Sequence, residues 1–475
     1  MGTEPALTRP EFARVFIAGV LSMAVFIMFN GTLYLSYDGI FDWSRDVSTA
    51  MSIVYALGLM TLARKRPNLI KPRAFCWAVC VMSTIGYASC AAGVCFSSAP
   101  AIVAGVMLVG PADMWGIIVW MLCLARMSRR DACLLMATSG LVGIPLAYLV
   151  DTVDLYWLAN VASLVSAIAI IALCEPLTRG FFARLSQAAP PEELHVSQPD
   201  AYLPMLHIFY VYIFVFSVAY GFALRCENET GPWLSTLASV LASAAVAVYA
   251  WRAKASTKMD SLHVASLFSI AVGFMLVLMD DARVGQVASV LLLMGYMCYQ
   301  LLIWLALSSA AQRNTAEAIP TICWGSAASY LGISVGVALY LVPNEFLAAQ
   351  LGGDPLLQSL LVIVVLAGLV LFSVLTRRTF VFDLAIEGIA PDAPAPQVEV
   401  RYVDELNRRC EQAAQRWNLT AREASVMTLL AHGNTSSRIQ EELGISYNTV
   451  KYHVKNVYAK TGVHSQQALI DLLCE

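Results

Sequence analysis

Charge is scarce along this chain: 13% of its 475 residues are Asp, Glu, Lys or Arg, against 59% that are apolar. A soluble domain carries roughly 25% charged residues, so composition alone places most of the sequence in a membrane. Clusters that carry chemistry are lacking too. The 12 cysteines contain no CxxC pair and the 6 histidines show no metal-ligand spacing, which excludes a disulfide framework and a zinc site of the usual kind. No Gly-rich phosphate loop precedes a helix, and no Ser-His-Asp or Cys-His arrangement is present. No enzyme activity and no cofactor are therefore expected.

What the chain does have is apolar runs long enough to span a bilayer, which takes about 20 residues. Twelve are read, at roughly 12–35, 47–63, 74–96, 99–125, 133–150, 155–174, 204–223, 232–250, 262–279, 284–307, 320–341 and 355–376. They divide six and six around the connection at residues 175–202. The fold class expected is all-α: a polytopic bundle of twelve transmembrane helices followed by a small four-helix domain. The first run is too long for a cleaved signal peptide, and no small-residue cleavage site follows it.

The loops alternate in charge. One set holds eighteen Lys or Arg, including Arg64, Lys65, Arg66, Arg129, Arg130, Arg377 and Arg378, whereas the other holds only Arg45, Arg225 and Arg283 among several aspartates. Cytoplasmic loops are the ones rich in Lys and Arg. Both termini are thus expected on the cytoplasmic side of the inner membrane of a bacterium.

The last stretch has a different grammar. Thr420 with Glu423 forms a capping box ahead of the apolar residues Val426, Leu429 and Leu430, and Gly433 closes that helix. Thr435 can cap a second helix through Leu443, and Gly444 with Ile445 makes a turn. Ser446 can then cap a third helix that runs to Thr461 before Gly462. Two helices joined by a short turn form the arrangement that reads DNA. On the third, Val450, Val454, Val457 and Tyr458 share a buried stripe, while Asn448, Lys451, Tyr452 and Lys455 share a neighbouring polar face. No Asp or Glu occurs from Gly444 to Ile470, so this segment can meet phosphates without local repulsion.

The stretches LTARE, LLAHGNTSSRI, LGISYNTVKYHV and VYAKTGV, over roughly residues 417–473, resemble the LuxR/NarL-type helix-turn-helix of bacterial transcription regulators. The resemblance implies double-stranded DNA as partner, with Lys451, Tyr452 and Lys455 at base edges and Thr449, His453 and Lys460 near the phosphate backbone. Ser425 and Arg438 stand where the family usually has Glu, and Gln466 where it usually has Arg, which removes one phosphate contact. Residues 401–475 carry nine Lys or Arg against eight acids, so a single copy should bind weakly. A homodimer on two half-sites is expected.

The six-plus-six division and the central loop resemble the major facilitator transporters. That family lines its cavity mainly with spans one, four, seven and ten, which here offer Asn30, Asp113 with Trp115, Tyr210 with Tyr212 and Tyr220, and Tyr299 with Gln300, while Trp115 and Trp120 supply aromatic surface beside Asp113. Asp113 is the most unusual of these, because a carboxylate in mid-membrane costs roughly 2.5 to 3.5 kcal/mol unless it is paired or solvated. It is either protonated or held for a cation. A neutral, hydrogen-bonded structural contact is the competing reading, and interfacial packing competes for the tyrosines and tryptophans.

The expected organisation is a membrane sensor domain at 1–378, a linker at 379–400 holding Pro391, Pro394 and Pro396, and the DNA-binding domain with a leading helix at 401–475. In that leading helix Val403, Leu406, Cys410, Ala413 and Trp417 form one stripe. The chain between the spans and the module leaves no room for a phosphoacceptor domain. The expected function is a membrane-embedded, one-component transcription regulator that senses an unknown small molecule through the bundle. The alternative is a solute transporter with a DNA-binding or docking tail.

Overall fold

A computed structural model describes residues 7–30, 37, 39–153, 156–185, 205, 207–226, 232–253, 259–279, 282–312, 315–342, 355–376, 408–463 and 465–474. The chain divides into two compact units, one drawn from residues 1–186 and 205–386 and one from residues 187–204 and 387–475. No strand occurs among the described residues.

Among the described residues the first unit contains twelve long helices: α1 Arg9–Asn30, α2 Ser44–Lys65, α3 Pro72–Cys95, α4 Ala99–Leu124, α5 Arg129–Asp151, α6 Tyr156–Leu185, α7 Ile208–Cys226, α8 Pro232–Arg252, α9 Met259–Val277, α10 Ala282–Ala311, α11 Thr315–Val342 and α12 Pro355–Thr376. Eleven are long and apolar enough to cross a membrane, and α7 is apolar over Ile208–Leu224 but shorter. Lipid offers no partner for a bare N–H or C=O, so a spanning segment must close its own backbone hydrogen bonds as a helix. The same condition explains why Pro111, Pro145, Pro176 and Pro320 sit inside helices without ending them, since neighbouring helices can satisfy the groups that proline frees.

The twelve helices repeat after six. Within the first half α1 packs on α5, α2 on α4 and α3 on α4; within the second, α7 packs on α11, α8 on α10 and α9 on α10. The halves meet where α2 packs on α11 and α5 on α8. Small residues set the close approaches, as membrane helices need. A Cβ on Gly143 of α5 would strike the Val20 carbonyl of α1, and a Cβ on Gly221 of α7 would strike the Ile333 carbonyl of α11. These glycines occupy equivalent seams of the two halves.

Helix α6 runs further than the sequence suggests. Its apolar run ends near residue 174, yet the helix continues to Leu185. Glu175 accepts two hydrogen bonds from Arg179, at 2.9 and 2.8 Å, and Phe182 and Leu185 are buried. An i,i+4 pair with a packed face carries the helix past the end of its apolar run. The connection read as beginning at residue 175 is therefore still helix through Leu185.

The second unit is a small helical domain. Residues 408–416 are helical, and α13 Ala421–Ala431, α14 Ser436–Leu443, α15 Tyr447–Thr461 and α16 Gln466–Cys474 follow. One core unites them through Cys410, Val426, Leu430, Ile439, Val450, Val457, Leu469 and Leu473. Cys410 and Ala413 of the leading helix are buried in it and Trp417 packs at its edge. Val403 and Leu406, expected on the same stripe, lie outside the described residues.

Candidate nucleic-acid interface and central cavity

Helices α13, α14 and α15 each begin on a side-chain cap. Thr420 accepts from the Glu423 N–H at 3.3 Å while Glu423 accepts from the Thr420 N–H at 2.8 Å, a complete capping box. Thr435 caps α14 through the Arg438 N–H at 3.1 Å, and Ser446 caps α15 through the Thr449 N–H at 3.2 Å. Gly433, Gly444 and Gly462 follow the three helices with φ of 77°, 63° and 75°, the left-handed conformation that ends a helix at least cost for glycine. The turn from α14 to α15 is thus fixed by Gly444 and Ser446, and it sets the direction in which α15 presents its polar face.

On α15, Val450 and Val457 are fully buried while Val454 and Tyr458 are partly so. Asn448, Lys451, Tyr452 and Lys455 are exposed. Tyr452 keeps 63% of its surface in contact with solvent, high for an aromatic residue in so small a domain. The Lys451 ammonium sits 4.8 Å from the centre of the Tyr447 ring, and the ring of Tyr452 meets that of His453 edge-on at 5.7 Å. His453 and Thr449 are half-buried, and the Thr449 hydroxyl shares a hydrogen bond of 2.7 Å with Ser446 at the helix start. Lys451, Tyr452 and Lys455 therefore form one open patch, with Thr449 and His453 at its border.

Lys460 and Gln466 are engaged internally. The Lys460 ammonium donates to the Glu423 carboxylate at 2.7 Å and to the Asn418 carbonyl at 3.2 Å, bracing the end of α15 against the start of α13. That ammonium and the Thr420 N–H hold the Glu423 carboxyl down to about 2. Gln466 is buried and donates from Nε2 to the Leu430 carbonyl at 2.7 Å. Its side chain points into the domain, so it ties α16 to the end of α13. Ser425 bonds back to the Ala421 carbonyl at 2.9 Å, and Arg438 faces Glu442 one turn on at 3.8 Å. Both lie on supporting helices.

In the membrane unit a cavity of about 150 Å3 lies between the two halves. Helix α4 contributes Asp113, Ile117 and Trp120 to it, α10 contributes Tyr296, Gln300 and Trp304, and α1 contributes Phe26. Serines of α2 and α11, among them Ser48, Ser52, Ser326 and Ser329, form the polar wall, and Arg45 and Asp46 lie at the α2 end. One oxygen of Asp113 accepts from the Tyr87 hydroxyl at 3.3 Å. Aromatic rings interlock across the halves: Trp120 meets Trp304 at 5.7 Å and 89°, and Trp304 meets Phe26 at 5.4 Å and 73°.

Of the residues expected to line a cavity, Asp113 and Gln300 do so. Trp115, two residues from Asp113 and so some 200° round the helix, packs between Phe75 and Phe182 and donates to the Cys76 sulfur at 3.4 Å. Tyr299 lies about 100° from Gln300; it stacks on Phe216 at 4.6 Å and donates to the Tyr212 carbonyl at 3.0 Å. Tyr210 packs against Phe209 and Trp324. The side chain of Asn30 lies outside the described residues. Trp120, expected with Trp115 to supply aromatic surface beside Asp113, does line the cavity; Tyr296 and Trp304 escape the sequence reading, although a signal exists, since 296, 300 and 304 follow helical spacing around Gln300.

Beyond the cavity, at the opposite end of α2 from Arg45, the halves are tied together. Arg64 of α2 pairs with Glu317 of α11 at 2.9 Å. Arg130 at the start of α5 donates to the Ala250 and Trp251 carbonyls of α8, at 3.3 and 3.2 Å. Gln312 donates to the Met127 carbonyl at 2.8 Å.

Comparison with known proteins gives these two units their context. Residues 417–473 match the family model described as bacterial regulatory proteins, luxR family. The probable transcriptional regulatory protein SgaR of Hyphomicrobium methylovorum is 47% identical over 55 residues, 12% of this chain and 26% of that protein. The spore germination protein GerE of Bacillus subtilis (strain 168) is 43% identical over 56 residues, 12% of this chain and 76% of GerE. The chain thus spans about a quarter of the length of the first of these relatives. The membrane unit is similar to the major facilitator superfamily proton:xylose symporter XylE, with a TM-score of 0.54 and 10% identity over 78% of this chain and 95% of that one. At that identity the likeness is one of fold.

Proposed function

Because the chain belongs to the luxR family of bacterial regulatory proteins by way of residues 417–473, we propose that it regulates transcription from the membrane. In this reading α15 enters a major groove with Lys451, Tyr452 and Lys455 at base edges, and Thr449 and His453 face the flanking phosphates. Lys460 takes part through the brace it makes with Glu423 more than through a phosphate. The observation that carries the reading is the open patch on α15, cationic, free of acids and mounted on a helix whose other side is locked into the core. Both termini then face the cytoplasm of a bacterial inner membrane, as the loop charges require, and two copies bind paired half-sites.

The bundle is the sensor in this reading. A ligand moves an equilibrium only through unequal affinity for two arrangements. A cavity walled by both halves supplies that inequality, because its walls converge in one arrangement of the halves and separate in another. Arg64–Glu317, Arg130 with the α8 carbonyls, and Gln312 with Met127 are the contacts that such a change must remake.

The test uses the full chain in nanodiscs and an operator found by genome-wide mapping of where the protein sits on DNA. Binding to that operator should depend on a compound that drives the controlled gene. Operator binding indifferent to every such compound would defeat the sensing half of the proposal, and absence of any operator would defeat the whole.

A further inference from the structure

The lining of the cavity goes further than a site for some small molecule. On α4, Asp113, Ile117 and Trp120 share the cavity face, and 7 residues of helix place Trp120 roughly 10 Å from Asp113 along the axis. At the Trp120 level stand Trp304 and Phe26, their rings in contact. The cavity is therefore polarised: a carboxylate at one level, an aromatic cage at the next. Asp113 receives the Tyr87 hydroxyl on one oxygen at 3.3 Å, which leaves the other oxygen for a donor from the cavity. Arg45 and Asp46 offer opposite charges side by side at the α2 end, so Asp113 sets the sign of the deeper space.

Resting on the sensing reading above, we propose that the cavity takes a small organic monocation, a protonated amine on an apolar body of about one aromatic ring. Its ammonium would bond to Asp113 while its body lies among Trp120, Trp304 and Phe26. Charge opposite charge in a low-dielectric site favours a cation over an anion, and the negative faces of aromatic rings favour an organic cation in particular. A divalent metal ion is disfavoured, because no group of three His, Cys, Asp or Glu is gathered anywhere among the described residues. A neutral polyol could bond to the serine wall but would leave the carboxylate without a counter-charge. The volume, about 150 Å3, matches a cavity that holds a single benzene-sized molecule.

The test compares benzylamine with its neutral counterpart benzyl alcohol by equilibrium dialysis against the full chain in nanodiscs, after subtracting uptake by empty nanodiscs. The wild-type chain should bind benzylamine about tenfold or more tighter than benzyl alcohol. Asp113→Asn should bring the two within about twofold of each other while Asp113→Glu keeps the preference. A wild-type ratio near one, no saturable benzylamine binding, or a preference that survives Asp113→Asn would each overturn the proposal. Because DNA is absent from this assay, charge selectivity can hold even if operator binding proves indifferent to ligands, so failure here and failure of the regulatory reading are separable.

Discussion

Replacing Lys460 by Met keeps the length and the apolar stem of the side chain but removes an ammonium that bridges 37 residues of sequence to Glu423. The charged hydrogen bond at 2.7 Å and the weaker one to Asn418 at 3.2 Å are both lost. Such a bond to a charged group contributes about 1.5 to 3 kcal/mol. The Lys460 side chain is 38% exposed while that of Glu423 is 6% exposed, so water screens one partner and the lower part of that range applies. The expected cost is about 2 kcal/mol, and it falls on the packing of α13 against α15. Amide hydrogen exchange of the full chain in nanodiscs should therefore show protection in these two helices falling about thirtyfold, with the membrane helices unchanged. The same variant separates a brace from a phosphate contact. Losing a phosphate contact lowers the slope of log affinity against log salt by about 0.9, whereas losing a brace lowers affinity without changing that slope. Unchanged protection together with a reduced salt slope would instead make Lys460 a phosphate contact and not a brace.

Acid should act on the same brace. The carboxyl of Glu423 is held down to about 2 by Lys460 and the Thr420 N–H, so its contribution to stability is present above the ordinary carboxylate value of about 4.3. It is lost as pH falls from there through about 2, and exchange measured down that range should show α13 opening at higher pH in Lys460→Met than in the wild type. Lys451→Ala and Lys455→Ala should each cost about 1 to 3 kcal/mol of discrimination between the operator and a scrambled duplex, read by fluorescence anisotropy; equal binding to both duplexes by the wild type would contradict this. Gln466→Ala removes one of the donors to the Leu430 carbonyl, which keeps the Gly433 N–H at 2.9 Å, so it should cost about 0.5 to 1.5 kcal/mol of domain stability with no change in salt slope. Glu317→Gln weakens the tie between α2 and α11, so maleimide should reach Cys323, buried less than two turns further along α11, faster than in the wild type.

Much of this protein is written in local sequence. The caps at Thr420, Thr435 and Ser446, the three left-handed glycines and the buried stripe of α15 all depend on residues within about two turns of one another. They could be read directly because caps and helical periodicity are short-range properties. The twelve apolar runs were legible for a similar reason: lipid forces every spanning segment to be helical, so composition decides the element. Helix ends were less so, as α6 illustrates, because its continuation to Leu185 depends on the burial of Phe182 and Leu185 as well as on the Glu175–Arg179 pair.

What the chain fixes by itself is which segments are helices, where most of them stop, and which face of α15 carries its lysines. What those faces meet depends on how whole helices pack. Lys460 and Gln466 look like surface positions until α13 comes against them, and Trp115 and Tyr299 look like cavity residues until the angle round the helix turns them into the packing between helices. Asp113 becomes a candidate site because α10 and α1 bring Tyr296, Trp304 and Phe26 from distant parts of the chain to line the same cavity. Hydrophobic periodicity specifies that a face is covered, and it is the same for many partners. Which atoms do the covering is settled by close packing between whole helices, where small residues such as Gly143 and Gly221 choose the seams.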